Sequence, residues 1–201
     1  MSRFTRVTEY KDYALPQTYA TMGYAREILA AGESQLMATL QQHSQVFVVH
    51  LTLHFPQSLD ISPDTDNSCF QHFIESYARY LTSRRYDPRY LWCREVGGLN
   101  RHLHYHCLLF LNGHLIQFFN MEEMYIANRY WQHAIERFFG ICGVEQVHVA
   151  RDNFKVFRDY PETFARAVCE KIAYLSKLPT KQNCGPYIRN WGQSQMHHES
   201  W

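Results

Sequence analysis

The sequence predicts an α/β (α+β) sandwich, a central antiparallel sheet flanked by helices, and three observations carry that reading. Residues 102–111 are an apolar run rich in aromatic and branched side chains, closed by Asn112-Gly113, which suits a buried strand. Residues 90–96 form a second strand-like run, and Gly97-Gly98-Leu99-Asn100 is a turn that folds the two runs side by side. Segments with apolar residues at helical spacing lie before and after this pair and supply layers to cover the sheet. With 201 residues a single domain with a real core is expected, and a 46% hydrophobic share argues against disorder.

Residues 1 to about 22 are polar and turn-rich, with Pro16, and read as an arm. Residues 24–42 have helical spacing interrupted by Gly32. Residues 45–55 read as a strand stopped by Pro56, with His50, Thr52 and His54 on one face. After a Pro/Ser/Asp loop, Asp66 or Asn67 is placed to cap a helix over 68–84, which puts Phe70, Phe73, Ile74, Tyr77 and Leu81 on one side. A helix over 121–139 turns Met124, Ala127, Trp131, Ile135 and Phe138 inward and ends at Gly140 and Gly143. Residues 144–149 alternate as a strand, and 154–158 form a short partner. Pro161 opens a helix over about 162–177, ended by Leu178-Pro179. The remainder, from Thr180, reads as a loop that packs back. This organisation divides into an N-terminal arm and helix (1–44), a main domain (45–192) and a tail (193–201).

Several classes are excluded or disfavoured. No stretch approaches 18 uninterrupted apolar residues, so no membrane partner is expected. No apolar run follows Met1–Arg6, so no secretory signal is expected. The six cysteines are scattered without a Cys-x-x-Cys pair, as for reduced cytosolic thiols, and a cysteine-built zinc site is disfavoured. A net charge of +1 counts against a protein that coats duplex DNA. From Arg151 to Arg189, however, eight Lys and Arg face four Asp and Glu, which points to a local positive surface.

Chemistry concentrates at the start of the 102–111 strand. Side chains alternate across a strand, so His102, His104, His106, Leu108 and Phe110 share one face, and Leu103, Tyr105, Cys107, Leu109 and Leu111 the other. Neutral imidazoles at i and i+2 can share one metal ion. The glycine turn brings Glu95 beside them as a carboxylate ligand. His102-Leu103-His104 offers a second pair two residues earlier, and histidines also serve as hydrogen-bonded residues at sheet edges. On the last helix, Lys171, Tyr174 and Lys177 stand three apart and line one stripe. Phenols ionise near pH 10, and ammonium groups nearby favour a phenolate and neutralise a phosphate under attack. The bland reading of that tyrosine is core packing, in a chain that holds 14 of them.

Taken together, His104-Tyr105-His106, Glu95 on the preceding strand and the later Tyr174-x-x-Lys177 resemble the HUH endonucleases. Val48-Val49-His50-Leu51-Thr52-Leu53 is similar to their first strand. The Glu-x-Gly run, the His-x-His-x-His and the C-terminal Arg189-Asn190-Trp191-Gly192 look most like the replication initiators of filamentous phages (inoviruses) and prophages. The resemblance spans about 45–192. It implies metal ligation by His104, His106 and Glu95, with His102 as a further candidate, and Tyr174 as the nucleophile with Lys177 as companion and Lys171 as an additional site residue. It also implies a Mg, Mn or Zn ion, a single-stranded or hairpin DNA partner at a replication origin, a host replication helicase, and the cytoplasm of a bacterial host. The expected activity is nicking and joining through a 5′-phosphotyrosine to start rolling-circle replication. No ATP site is required, and no Gly-x-x-x-x-Gly-Lys-Ser/Thr occurs. The rivals are a non-catalytic DNA-binding or regulatory relative with a structural metal, and a metal-dependent hydrolase in which Tyr174 is core.

Overall fold

The computed structural model describes residues 4–19, 21–97, 102–142, 146–178 and 188–195. In chain order the elements are β1 (Arg6–Val7), β2 (Tyr24–Ala25), α1 (Arg26–Gln42), β3 (Gln45–His54), α2 (Ser68–Ser83), β4 (Arg89–Val96), β5 (Leu103–Asn112), α3 (Met121–Phe139), β6 (Val147–Val149), β7 (Phe154–Phe157), α4 (Pro161–Arg166), a π-helical segment (Ala167–Ile172), α5 (Ala173–Ser176) and β8 (Trp191–Gln193). Among the described residues the main sheet has six strands, all paired antiparallel, in the order β6-β3-β5-β4-β8, with β7 also on β3. β5, the histidine strand, is central. The expected α+β sandwich is the fold observed.

Alternation along the strands divides the core into two. Phe47, Val49, Leu51 and Leu53 of β3 and Leu103, Tyr105, Cys107, Leu109 and Leu111 of β5 lie against α2 and α3. Val46 and Val48, Leu91 and Cys93, and Leu108 and Phe110 face the other way, onto α1 and the helix that follows β7. The first layer closes over Trp131, whose indole N–H donates to the His54 carbonyl at 2.7 Å. Phe138 departs from its expected inward position: it is exposed, and Phe139 packs on the core instead, edge-on to Phe55.

The outer edge of β3 is covered by two short strands laid end to end. β7 pairs with Gln45–Val48 and β6 with Leu51–Leu53. At the gap between them the Asn153 Oδ1 accepts from the His50 N–H at 3.0 Å, and the Ala150 N–H donates to the His50 carbonyl at 2.9 Å. Side chain and loop thus complete the ladder that neither strand reaches.

Two expectations about local structure change. Asn67 does not cap α2; its side chain turns inward to accept from Tyr105 Oη at 2.9 Å and from the buried Arg94 at 3.1 Å, and donates to the Arg189 carbonyl at 2.8 Å. Asp66 instead accepts from the Ser68 N–H at 2.9 Å. At the N-terminus, described residues of the expected arm pack down: Tyr10 and Leu15 are buried, and Glu33 of α1 accepts from Tyr10 Oη at 2.7 Å and Lys11 Nζ at 2.6 Å. The turn residues Gly98–Asn100, the helix-end Gly143, Val144–Glu145 of the expected strand, and Pro179–Tyr187 lie outside the described residues.

Gly32 sits mid-helix because α1 approaches its neighbours closely. A Cβ there would stand 2.5 Å from Ile172 Cγ2 and 3.0 Å from Leu91 Cδ2. Gly32→Ala should therefore destabilise the protein by about 1–3 kcal/mol despite alanine's better helix propensity. Urea denaturation checks this; a gain in stability would show that the contact has room to relax.

Candidate metal centre

The register of β4 on β5 builds the site. Glu95 is the Cα partner of His104, and Cys93 that of His106. Since His104 and His106 share a face, both rings and the Glu95 carboxylate come together on the α1 side of the sheet, where the apolar rows give way to polar ones. Glu95 and His106 are buried and His104 is half-buried. Their donor atoms lie within 4.8 Å of one another, the one such group of three among the described residues.

The ring nitrogens are ordered for ligation. His104 Nδ1 lies 3.3 Å from the His102 carbonyl, which leaves Nε2 toward Glu95 Oε2 at 3.8 Å. His106 Nδ1 faces His50 Nε2 at 3.0 Å and Thr52 Oγ1 at 3.2 Å, and its Nε2 points at Glu95 Oε2 from 3.6 Å. That His106 nitrogen is buried without a hydrogen-bond partner among the described residues. A buried lone pair aimed at a buried carboxylate is what a cation would satisfy, so the donor set fits a divalent metal. Two imidazoles and a carboxylate suit manganese, magnesium or zinc without choosing among them.

His102 stands apart. It precedes β5, is exposed, and contributes its carbonyl rather than its ring, accepting from the Gly97 N–H at 3.1 Å. The converging pair is thus His104 and His106. His50 and His54, on the facing row of β3, approach as neighbours: His54 stacks on His104 with ring centroids 5.3 Å apart. The i, i+2 row 50–52–54 was visible in the sequence. That His50 and Thr52 both meet the back of His106 depends on strand register, which the sequence leaves open.

Burial holds His50, His54 and His106 below the usual imidazole range. Burial, followed by the neighbouring His106 and Lys171 charges, pushes the His50 imidazole down to about 3. His54 falls to about 4, again chiefly through burial. His106 is also lowered by burial, with Glu95 pulling the other way. Metal-binding imidazoles must be unprotonated, and the lowered His106 pKa favours that form.

The helix carrying Tyr174 differs from its expected form. Residues 167–172 wind as π-helix, so Lys171, Tyr174 and Lys177 do not form the expected α-helical stripe. Lys171 is buried and its Nζ meets Asp152 Oδ2 at 2.7 Å. Lys177 lies just past α5 in extended backbone, bridged to Tyr24. Its ammonium sits 3.4 Å from Glu95 Oε2 and 3.6 Å from the centroid of the Tyr174 ring. Burial works against that charge, but Glu95 and then Tyr174 outweigh it, and Lys177 stays protonated above the usual lysine range. The half-buried Tyr174 ring lies 5.2 Å from that of His106 and 5.4 Å from that of His50. The structure therefore brings Glu95, His104, His106, Lys177 and Tyr174 together, and leaves His102 and Lys171 at the margin.

The site and fold define an α+β protein with a metal-donor centre on the central strand of an antiparallel sheet. The chain belongs to the YagK/YfjJ C-terminal domain family, a prophage-associated family, with the match covering residues 8–194. No curated protein and no solved structure matches it. None of the described cysteines forms a disulfide, and no described helix is long and apolar enough to cross a membrane.

Two outcomes follow. Manganese or zinc at about a hundred times its Kd should stabilise the fold by about 2.7 kcal/mol, an effect lost in His104→Ala and His106→Ala. His50→Ala should weaken metal affinity about ten-fold or more by releasing the back of His106; isothermal titration with an unchanged Kd would remove His50 from the site. Separately, the His50 imidazole is held below its unfolded value, so its contribution is present above about pH 6.5 and is lost as pH falls toward 3. His50→Gln should flatten the acid side of the stability–pH curve in that window, as read by thermal melts.

Proposed function

We propose that this protein is an HUH-type, metal-dependent endonuclease and strand transferase, similar to filamentous-phage initiators. It would nick and rejoin single-stranded DNA to initiate rolling-circle replication of a phage or prophage-like element. The observation that carries the reading is the Lys177 ammonium held between the Glu95 carboxylate and the Tyr174 ring, which ties a candidate nucleophile to the metal-donor group. Membership of a prophage-associated family agrees with the biological setting.

Glu95, His104 and His106 would hold the divalent ion, which supplies a Lewis acid to a non-bridging phosphate oxygen. Tyr174 Oη would attack the phosphorus in line, releasing its proton to water. A bond between the tyrosine oxygen and phosphorus forms as the bond to the 3′ oxygen breaks and that oxygen takes a proton from water, giving a 5′-phosphotyrosine and a free 3′-hydroxyl. Lys177, charged and fixed beside the Tyr174 ring, neutralises the phosphate as it approaches. His50 and Thr52 hold the His106 ring in place through its Nδ1. The 3′ end then serves as primer or, by the reverse attack, rejoins the strand. The DNA partner would be a single strand or hairpin at an origin, in the cytoplasm of a bacterial host with its replication helicase.

Incubation with a pool of single-stranded oligonucleotides and manganese, followed by a denaturing gel, tests this. A covalent adduct is expected, abolished by EDTA, by Tyr174→Phe and by His104→Ala. An adduct that survives in Tyr174→Phe would assign another nucleophile. Metal binding without any adduct would favour a regulatory DNA-binding relative.

A further inference from the structure

Across the sheet from this centre, α2 and α3 form a groove of about 760 Å³. Two pairs of rings span it: His72 with His133, centroids 5.8 Å apart, and Tyr80 with Tyr130, 5.7 Å apart. Arg79 and Arg129 rise beside them, both exposed. Among the described residues no carboxylate lines the groove; Glu75 and Arg137 stand near His72 with opposite charges, and Glu123 and Glu122 lie near Tyr80. Arg79 donates to Ser76 Oγ at 3.1 Å, and neither arginine makes an ion pair among the described residues.

The contrast with the other face is sharp. The C-terminal segment that reads as basic in sequence engages most of its described cations with partners within the protein, with Lys171 and Lys177 buried and the arginines at the surface. Lys171 pairs with Asp152, Lys177 with Glu95 and Arg166 with Glu170, while Arg158 donates to the carbonyls of Leu40 and Gln41. Arg79 and Arg129 are not engaged in this way. They are spaced among half-buried tyrosines packed on Tyr77 below, Tyr80 stacked on it at 6.0 Å and Tyr130 tilted against it at 5.7 Å.

We propose that the α2–α3 groove is a second binding surface, taking a single nucleic-acid strand by its phosphates and bases. Unpaired guanidiniums answer phosphates, and aromatic faces between them answer unstacked bases, the combination that holds single strands without sequence readout. An acidic peptide would meet the arginines but leave the ring faces without a partner. The surface is separate from the nicking chemistry and does not depend on it.

The test uses the full chain carrying Tyr174→Phe, so that binding is read without covalent capture. The probe is a fluorescein-labelled oligothymidylate of about twenty nucleotides, followed by anisotropy across a salt series. Arg79→Glu with Arg129→Glu should weaken binding about ten-fold or more at low salt. It should also flatten the log Kd–log salt slope by about 1.4, since each phosphate contact to a single strand contributes about 0.7. Should that pair melt early, Arg79→Gln with Arg129→Gln replaces it, with the same slope change expected. An unchanged affinity and slope overturns the proposal, as does capture of polyglutamate in preference to the oligonucleotide. If the groove variant loses binding while the Tyr174 protein forms no adduct, the groove stands and the nicking reading falls.

Discussion

The pairing of Glu95 opposite His104 is the constraint on which the site depends. Strand side chains have a period of two, so a slip of one residue between β4 and β5 would turn Glu95 into the α2–α3 core, while His104 and His106 kept the opposite face. The alternative is costly on both sides, because the shifted carboxylate would be buried without a partner and the apolar rows would exchange faces. Packing on the far side of the sheet, where Tyr105, Cys107, Leu109 and Leu111 meet α2 and α3, therefore fixes the ligand register on the near side.

The same logic joins the metal-donor group to the tyrosine. α1 packs closely on β4 and on the π-helical segment through Gly32, which places α5 over the polar end of the sheet. The chain then leaves the helix at Lys177, pinned to Tyr24 by a bridge and by the Leu178 N–H donating to the Gly23 carbonyl at 3.1 Å. The lysine side chain is thus fixed at its base by the backbone and at its ammonium by Glu95 and the Tyr174 ring. A long flexible side chain becomes a fixed charge.

Much of this was legible in the residues. Alternation along 102–111 divided the two cores correctly, and the helix over 121–139 has the bounds its spacing and Gly140 indicate, with Gly140 in the left-handed conformation at φ 69°. The turn before His102 foretold that Glu95 would meet the histidines. Other features have no local signal. The π-helical winding arises in a stretch whose composition suits an ordinary α-helix, so the expected stripe of Lys171, Tyr174 and Lys177 is broken only in three dimensions. Asn67 is a good cap by type, yet the buried Arg94 and Tyr105 claim its side chain. The partners of Lys177 and Arg158, the Glu95 carboxylate and the Leu40 carbonyl, are contacts far apart in sequence.

Anomalous diffraction from manganese-soaked crystals would show whether Glu95, His104 and His106 hold a divalent ion. One strong peak is expected within about 2.0–2.2 Å of both Nε2 atoms and a carboxylate oxygen. A peak bound instead between His102 and His104, or no peak at a saturating manganese concentration, would contradict it.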